Sequence, residues 1–473
     1  MPYPLVVDLD GTLLKSDLLY LSFFSFLKKR LLWFWLPFLW LFRGKAYFKS
    51  RLAEHSPIDV SVLPYNDQVI ALLKAEKAKS RQIILATASH RVYAEQVVAY
   101  LAFIDKVFAT DEDANLSAHR KRDVLVAEFG QKGFDYIGNS RADVPVWESA
   151  RKAYLINPES GVERRARTIG NVEEVIFSKK NGIKVWFKSL RPHQWLKNLL
   201  IFIPVIAAHR VSDISLVIQA FLAFLFFSLC ASSVYILNDL VDQEDDLHHP
   251  RKKNRPLASG ELSVKSGIIT AFVFFAGSFS GSFILLPTLF TASLGVYYLL
   301  TFAYSFFLKK MMTADIITLA GLYTMRIVAG SFACGLTPTF WILAFSMFLF
   351  LSLALVKRYA ELYEAFQKGE TERTKGRGYF PGDLGIISSL GTASGYLSVM
   401  VLALYIQDQS TLLLYSQPEI IWLACPVLLF WISRIWILTY RGHMQDDPVL
   451  FAAKDWVSMV VGVLFASIFS FAV

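Results

Sequence analysis

The residues able to do chemistry concentrate in two short stretches. The first is DLDGT at 8–12. If it ends a strand, Asp8 and Asp10 project to the same side, and Gly11 permits a tight turn after them. One carboxylate of such a pair can attack a phosphorus while the other moves the proton. The second stretch is NDLVDQEDDLHHPRKKNR at 238–255, which follows an uncharged apolar run from Ile214 to Ser233. On a continuous helix Asn238, Asp239, Asp242 and Asp246 fall within an arc of about 100°. Carboxylates sharing a face repel, and each charge inside a bilayer costs roughly 2.5–3.5 kcal/mol on insertion scales. Hard divalent cations relieve such oxygen-rich clusters, and Mg²⁺ commonly joins one or two carboxylates to a substrate's phosphates. Arg251, Lys252, Lys253 and Arg255 stand where the remaining phosphate charge would lie. The pattern predicts a diphosphate site at a membrane surface.

Elements of two kinds must position these groups. In residues 1–160 β-type runs recur: PLVVDLD, QIILATAS (82–89), KVFATDE (106–112), FDYIGNS (134–140) and AYLIN (153–157). Charged helical stretches such as Asp67–Ser80 separate them. This alternation predicts a Rossmann-like α/β sandwich, with its polar residues at the carboxyl ends of the strands. A helical cap is expected as an insert over about 15–80. Within it, the apolar pieces at 18–27 and 31–42 are too short to span roughly 30 Å of hydrocarbon. Trp33, Trp35 and Trp40, beside Lys28, Lys29 and Arg30, suit a hairpin in the headgroup region, though the core of a cap would read the same way. Residues 161–190 read as a charged linker.

The remainder, 191–473, is expected to be an all-α transmembrane bundle of about nine helices, near 196–208, 214–237, 266–286, 289–308, 314–334, 340–356, 385–406, 419–440 and 449–472. Alternate loops (RKKNR, KK, KR with KGETERTKGRG, and RGHMQDD) hold nearly all the basic residues, while the others hold Arg210 and little else. The positive-inside rule places the basic loops in the cytosol. Asp8 and Asp10 interrupt the first apolar stretch, so no signal peptide is expected and the amino terminus should share that side. The chain is 54% hydrophobic and 18% charged, and the basic residues lie in short loops, so its net charge of +9 reads through topology and excludes nucleic acid as a partner. Cys230, Cys334 and Cys425 fall in or beside apolar runs without CxxC spacing, which predicts packing and neither a disulfide nor a thiolate metal site.

Residues 1–157 resemble the haloacid dehalogenase superfamily, through DLDGT, Thr87 in ILATAS, Lys121 and GNSRAD at 138–143. The resemblance implies Asp8 as nucleophile, Asp10 as general acid and base, and Thr87 and Lys121 as phosphate ligands. It also implies Mg²⁺ on Asp8, Asp10, Asn139 and Asp143. Asn139 stands where that family usually has Asp, so the metal site loses a charge unless Asp143 compensates. A phosphatase is expected.

Residues 185–473 resemble the UbiA superfamily of intramembrane prenyltransferases, and within it the decaprenyl-phosphate phosphoribosyltransferase branch. RPHQWLKN (191–198), NDLVDQEDD followed by RPLASG, YSFFLKK with Asp315, VKRYAEL (356–362) and RGHMQDDP (441–448) carry that likeness. Aromatic prenyltransferases have a second DxxxD, but here Leu319 follows Asp315. Arg326 shares the helical face of Asp315, and Tyr304 and Lys309 come from the preceding helix end. The resemblance implies Mg²⁺ on Asn238, Asp239, Asp242, Asp246 and Asp315, with Lys197, Arg255, Tyr304, Lys309, Arg326, Lys357 and Arg358 as phosphate ligands. Phosphoribosyl diphosphate is the implied donor and polyprenyl phosphate the implied acceptor. Asp446, Asp447 and Asp455 either join this site or face the cytosol. The alternatives are an aromatic or quinone-pathway prenyltransferase, or a lipid-binding scaffold with an inactive phosphatase domain.

Overall fold

The computed structural model describes every residue except Met1, Asp113, 178–181, 373–376 and 445–446. The chain forms two compact units. One comprises Met1–Leu190 and Tyr235–Ala271, the other Arg191–Val234 and Phe272–Val473.

The first unit is built on a six-stranded sheet, β1 (Leu5–Val7), β2 (Ile83–His90), β3 (Lys106–Thr110), β4 (Asp135–Gly138), β5 (Ala153–Ile156) and β6 (Val172–Ile176), in the order β3-β2-β1-β4-β5-β6. Every pairing is parallel, with Leu5 opposite Ile83 on one side and Asp135 on the other. Parallel strands are covered on both faces, which explains why their sequences are continuous apolar runs. Side chains alternate accordingly: Leu5, Val7, Leu85 and Ile137 pack into one core, and Val6, Ile84, Tyr136 and Trp147 into another.

The expected cap lies between β1 and β2 as helices Leu18–Lys29, Leu36–Phe42, Lys45–His55 and Asp67–Ala78. Its apolar hairpin divides. Trp40 packs with Phe26 and Leu52, whereas Trp33, Phe34, Trp35, Phe38 and Phe42 are exposed. The segment read as a linker is largely structured. It supplies helix Val162–Ile169, strand β6 on the sheet edge and helix Gly182–Leu190. The acidic residues of VEEVI masked a strand that is half solvated at that edge.

In the second unit, long apolar helices dominate. Among the described residues seven helices are long and apolar enough to cross a membrane, or eight if a bent pair is one span. This corrects the expected nine. The first candidate span is a 3₁₀ run, Pro192–Phe202, continued by only five α-helical residues, Ile203–Ala207. Pro204 lacks the N–H that an α-helix continued from Pro192 would need there. The 3₁₀ run lies against helix Ala314–Ala333 because Gly330 leaves room: a Cβ on Gly330 would overlap the carbonyl of Ile201. The last candidate divides into Pro448–Lys454 and Trp456–Ala472, bent by 86°. Asp455 sits at the break in an extended conformation, and its carboxylate caps the second piece by accepting from the Ser458 amide at 2.9 Å. That number of long apolar helices marks this as an integral membrane protein.

Candidate functional site

Three clusters deserve separate description, two in the first unit and one in the second. The first lies at the carboxyl end of the sheet, where β1 delivers Asp8 and Asp10, β2 ends near Ser89, and β4 leads to Asn139. The Asp8 carboxylate accepts from Lys121 Nζ at 2.8 Å. Lys121 is buried and also donates to the Tyr136 hydroxyl at 2.9 Å, which in turn donates to Asp143 Oδ1 at 2.7 Å. Asp143 Oδ2 accepts from the Asn139 and Ser140 amides and the Ser140 hydroxyl at 2.9–3.1 Å. Asp143 therefore ties down the β4 loop. Burial pushes the Asp8 carboxyl up to about 7 against the opposing pull of Lys121. Burial, with repulsion from Asp17, takes Asp10 to about 6. Asp10 is fixed by the Leu18 amide at 2.9 Å and the Ser89 hydroxyl at 2.6 Å.

Two details depart from the sequence reading. Thr87 is fully buried and its hydroxyl accepts from the Ser89 amide at 2.9 Å. Ser89, two residues further on, lines the cleft above Asp8, and Thr87 does not. Lys49, from cap helix Lys45–His55, also lines this cleft, donating to the Ala88 carbonyl at 2.6 Å and to Asn115 Oδ1 at 2.8 Å. No local motif announced Lys49, because only the fold brings a cap helix to the end of β2.

The second cluster is the acidic stretch, and it is not one continuous helical face. Helix Ile214–Val241 stops at Asp242, and a short helix, Gln243–His248, starts anew. A continuous helix would stack Asp239, Asp242 and Asp246 at successive i+3 and i+4 steps, where like charges destabilise. The break sorts the carboxylates into groups with their own cations. Asp239 and Asp246, only 4% and 2% exposed, both accept from Arg255, at 3.0 and 2.7 Å. Asp242 and Asp245 both pair with Lys28 of the cap, and Glu244 pairs with Lys29 at 3.0 Å. Burial, outweighing Arg255, raises the Asp246 carboxyl to about 6. Asn238 is half-buried beside this group. Among the described residues no three His, Cys, Asp or Glu groups converge well enough to hold a metal.

In the second unit, Asp315 is fully buried and forms an ion pair with Arg358, Nε to Oδ2 at 2.8 Å, with the second guanidinium nitrogen donating to Oδ1 at 3.1 Å. Tyr304 donates to the same oxygen at 2.9 Å, and Arg377 reaches Tyr304 at 3.0 Å and Asp315 at 3.4 Å. Nearby residues of the same unit form a second polar group: Asp447 pairs with Lys197 at 2.5 Å and with Lys357 at 3.6 Å. Burial would raise the Asp447 carboxyl, but the two ammonium groups hold it well below the usual carboxylate range. Arg326 joins neither group. Its guanidinium donates to Asn198 Oδ1 at 2.8 Å and lies over the rings of Phe227, Tyr297 and Tyr323, a structural cation–π arrangement. Lys309 is half-buried in the turn Leu308–Lys310. Asp455 pairs with Arg434 at 2.6 Å as a helix cap, and Asp446 lies outside the described residues. Arg377 and the Asp447 pairing were the main omissions of the sequence reading. Arg377 belongs to a loop that reads as a generic basic loop.

Residues 199–466 match the family model described as UbiA prenyltransferase family. An uncharacterized protein, y4nM, of Sinorhizobium fredii is 35% identical over 98% of this chain and 90% of its own length. The nodulation protein NoeC of Azorhizobium caulinodans is 35% identical over 58% of this chain and 88% of its own. A decaprenyl-phosphate phosphoribosyltransferase of Mycobacterium tuberculosis is 34% identical over 39% of this chain and 63% of its own. Among solved structures, a UbiA homolog from Archaeoglobus fulgidus bound to GPP and Mg²⁺ is similar at a TM-score of 0.45 and 18% identity, over 60% of this chain and 97% of that one.

Proposed function

The chain belongs to the UbiA prenyltransferase family, and from that premise we propose that it transfers the 5-phosphoribosyl group of phosphoribosyl diphosphate to a polyprenyl phosphate. We further propose that its α/β unit is a haloacid dehalogenase-type phosphatase that removes the 5-phosphate from the product. One observation carries the transferase reading: the second motif has a single acid, Asp315, and that acid is held by Arg358 and Arg377. Glu361 also pairs with both arginines, and with Lys197 and Lys357 nearby in the same unit the four cations exceed Asp315, Glu361 and Asp447 by one, which suits two phosphorylated substrates better than a neutral aromatic ring. Relatives named decaprenyl-phosphate phosphoribosyltransferase support the same choice.

The acidic stretch fits Mg²⁺ in donor chemistry. Asp239 and Asp246 offer hard oxygens with a cationic nitrogen already between them, and Asp242 would join them only on leaving Lys28. These residues, with Asn238, would hold the ion, which when bound withdraws charge from the departing diphosphate. Arg255 would complement the remaining phosphate charge. A lipid phosphate oxygen attacks the anomeric carbon as the bond to diphosphate breaks, so no protein nucleophile is needed. Lys197 and Lys357 orient that lipid phosphate.

In the α/β unit Asp8, the Asn139 side chain and the Asp10 carbonyl would hold a second Mg²⁺, which when bound would offset the charge of the phosphoryl group. Asp143 acts by fixing the β4 loop and Lys121. Asp8 attacks the phosphorus, the ester bond breaks, and Asp10 protonates the sugar oxygen that leaves. Asp10 then takes a proton from the water that releases phosphate from Asp8. A carboxyl near 6 carries enough protonated form near neutral pH for the first of these tasks. The basic loops and this unit would face the cytosol.

The test uses the full-length protein in detergent with Mg²⁺, polyprenyl phosphate and ribose-labelled phosphoribosyl diphosphate. Formation of a ribosylated lipid, lost in Asp242→Asn, is expected. Absence of that lipid, or prenyl transfer to an aromatic acid instead, overturns the transferase reading. Unchanged phosphate release by Asp8→Asn overturns the phosphatase reading.

A further inference from the structure

The cleft above Asp8 is larger than a small sugar phosphate requires. It encloses about 1460 Å³ within the first unit, whereas pockets that bury a drug-sized ligand usually occupy about 300–1,000 Å³. One end holds Asp8, Lys121 and Ser89, the phosphoryl-transfer end. The rest is walled by helix Gly182–Leu190 and by residues 257–269, which contribute Lys184 and Lys265. Neither lysine has a carboxylate within ion-pair distance among the described residues, unlike Lys28, Lys121 and Arg255. Two carboxylates share this part of the cleft. Asp17 caps helix Leu18–Lys29 by accepting from the Leu19 amide at 2.9 Å, and Glu261 is exposed. Apolar surface adjoins the two lysines, from Leu19, Tyr20 and Ile269.

We propose that Lys184 and Lys265 form a second anion subsite, for a phosphodiester that carries an apolar substituent. The substrate class of the Asp8 site is then a sugar with two phosphoryl groups: a terminal monoester that is cleaved, and a diester that is held and not cleaved. This rests on the phosphatase reading of Asp8 and goes beyond it by stating how the unit selects its substrate. An exposed charge-assisted contact contributes roughly threefold in affinity, so the two exposed lysines together discriminate about tenfold against a simple sugar monophosphate.

The experiment compares phosphate release by the full-length protein in detergent with Mg²⁺ from two soluble probes. These are ribose 5-phosphate and ribose 5-phosphate bearing an octyl phosphodiester at C1. The wild type is expected to favour the diester at least tenfold in kcat/KM, and Lys184→Met with Lys265→Met is expected to reduce that ratio to about twofold. A wild type without preference, or a ratio that survives the double substitution, overturns the subsite while Asp8-dependent hydrolysis still stands. If Asp8→Asn releases as much phosphate as the wild type, the phosphatase reading fails instead. Direct binding of the diester probe supplies a measure independent of turnover: a tenfold loss in the double variant supports the subsite, and no loss overturns it. A third arm uses phosphatidylglycerol vesicles. Loss of vesicle binding in the double variant, with the probe ratio unchanged, assigns the lysines to bilayer headgroups and overturns the proposal.

Discussion

Replacing Lys28 by Met should tighten the binding of divalent cation by the acidic stretch. Lys28 is 18% exposed and is shared between Asp242, 27% exposed, and Asp245, 72% exposed. The Asp245 contact contributes little in water, since exposed pairs are worth about 0–1 kcal/mol. The Asp242 contact is partly shielded and lies at the upper end of that range. A metal ion that recruits Asp242 must displace the ammonium, so removing the ammonium relieves the competition by about 1 kcal/mol, or roughly fivefold in apparent affinity. Met preserves the apolar stem, which limits loss of packing. The assay is the Mg²⁺ concentration giving half-maximal ribosyl transfer, with Mn²⁺ binding followed by electron paramagnetic resonance as a second reading. A half-saturation point unchanged or raised in Lys28→Met would refute the competition. Lys29→Met is the control: Glu244 is not among the proposed ligands, and its loss should leave the Mg²⁺ requirement unchanged.

Tyr136→Phe should lower phosphatase turnover about tenfold with little change in KM, because the hydroxyl joining Lys121 to Asp143 disappears; phosphate-release kinetics would show it. Asp135→Ala leaves Arg81 and Arg151 without the buried carboxylate that both contact, and should destabilise the sheet by about 3–5 kcal/mol, measured as lost hydrogen-exchange protection in β4 and β5. Gly330→Val forces Ile201 away from helix Ala314–Ala333 and should cost about 1–3 kcal/mol, visible as earlier thermal aggregation in detergent. Trp33→Ser with Trp35→Ser removes two exposed rings of the cap hairpin, and should weaken binding of the cap to lipid vesicles in a limited-proteolysis protection assay.

The sheet and its carboxylate pair were legible because both follow from local rules: buried parallel strands read as apolar runs, and a DxD at a strand end faces one way. β6 was not, since VEEVI carries the acids of a half-solvated edge. The carboxylate cluster was legible as composition but not as geometry. An arc on a helical wheel assumes a continuous helix, whereas the chain turns at Asp242, with Asp242 on Lys28 and Asp246 on Arg255. Lys28 lies 214 residues from Asp242 in sequence, so no local pattern could have paired them. In the membrane unit, hydropathy located the long helices, but it could not see that the first candidate is mostly a 3₁₀ run interrupted by Pro204, or that the last is bent at Asp455.

The segment Tyr235–Ala271 shares its packing with the amino-terminal sheet, and Leu247 and Ala258 are part of that sheet's own core. A gene truncated after Leu190 would therefore encode a protein with holes in its interior, and a gene started there would carry a charged segment stripped of the core it packs against. The two units cannot be parted with scissors at any single point along the polypeptide, so testing each proposed activity demands single-residue replacements in the intact chain.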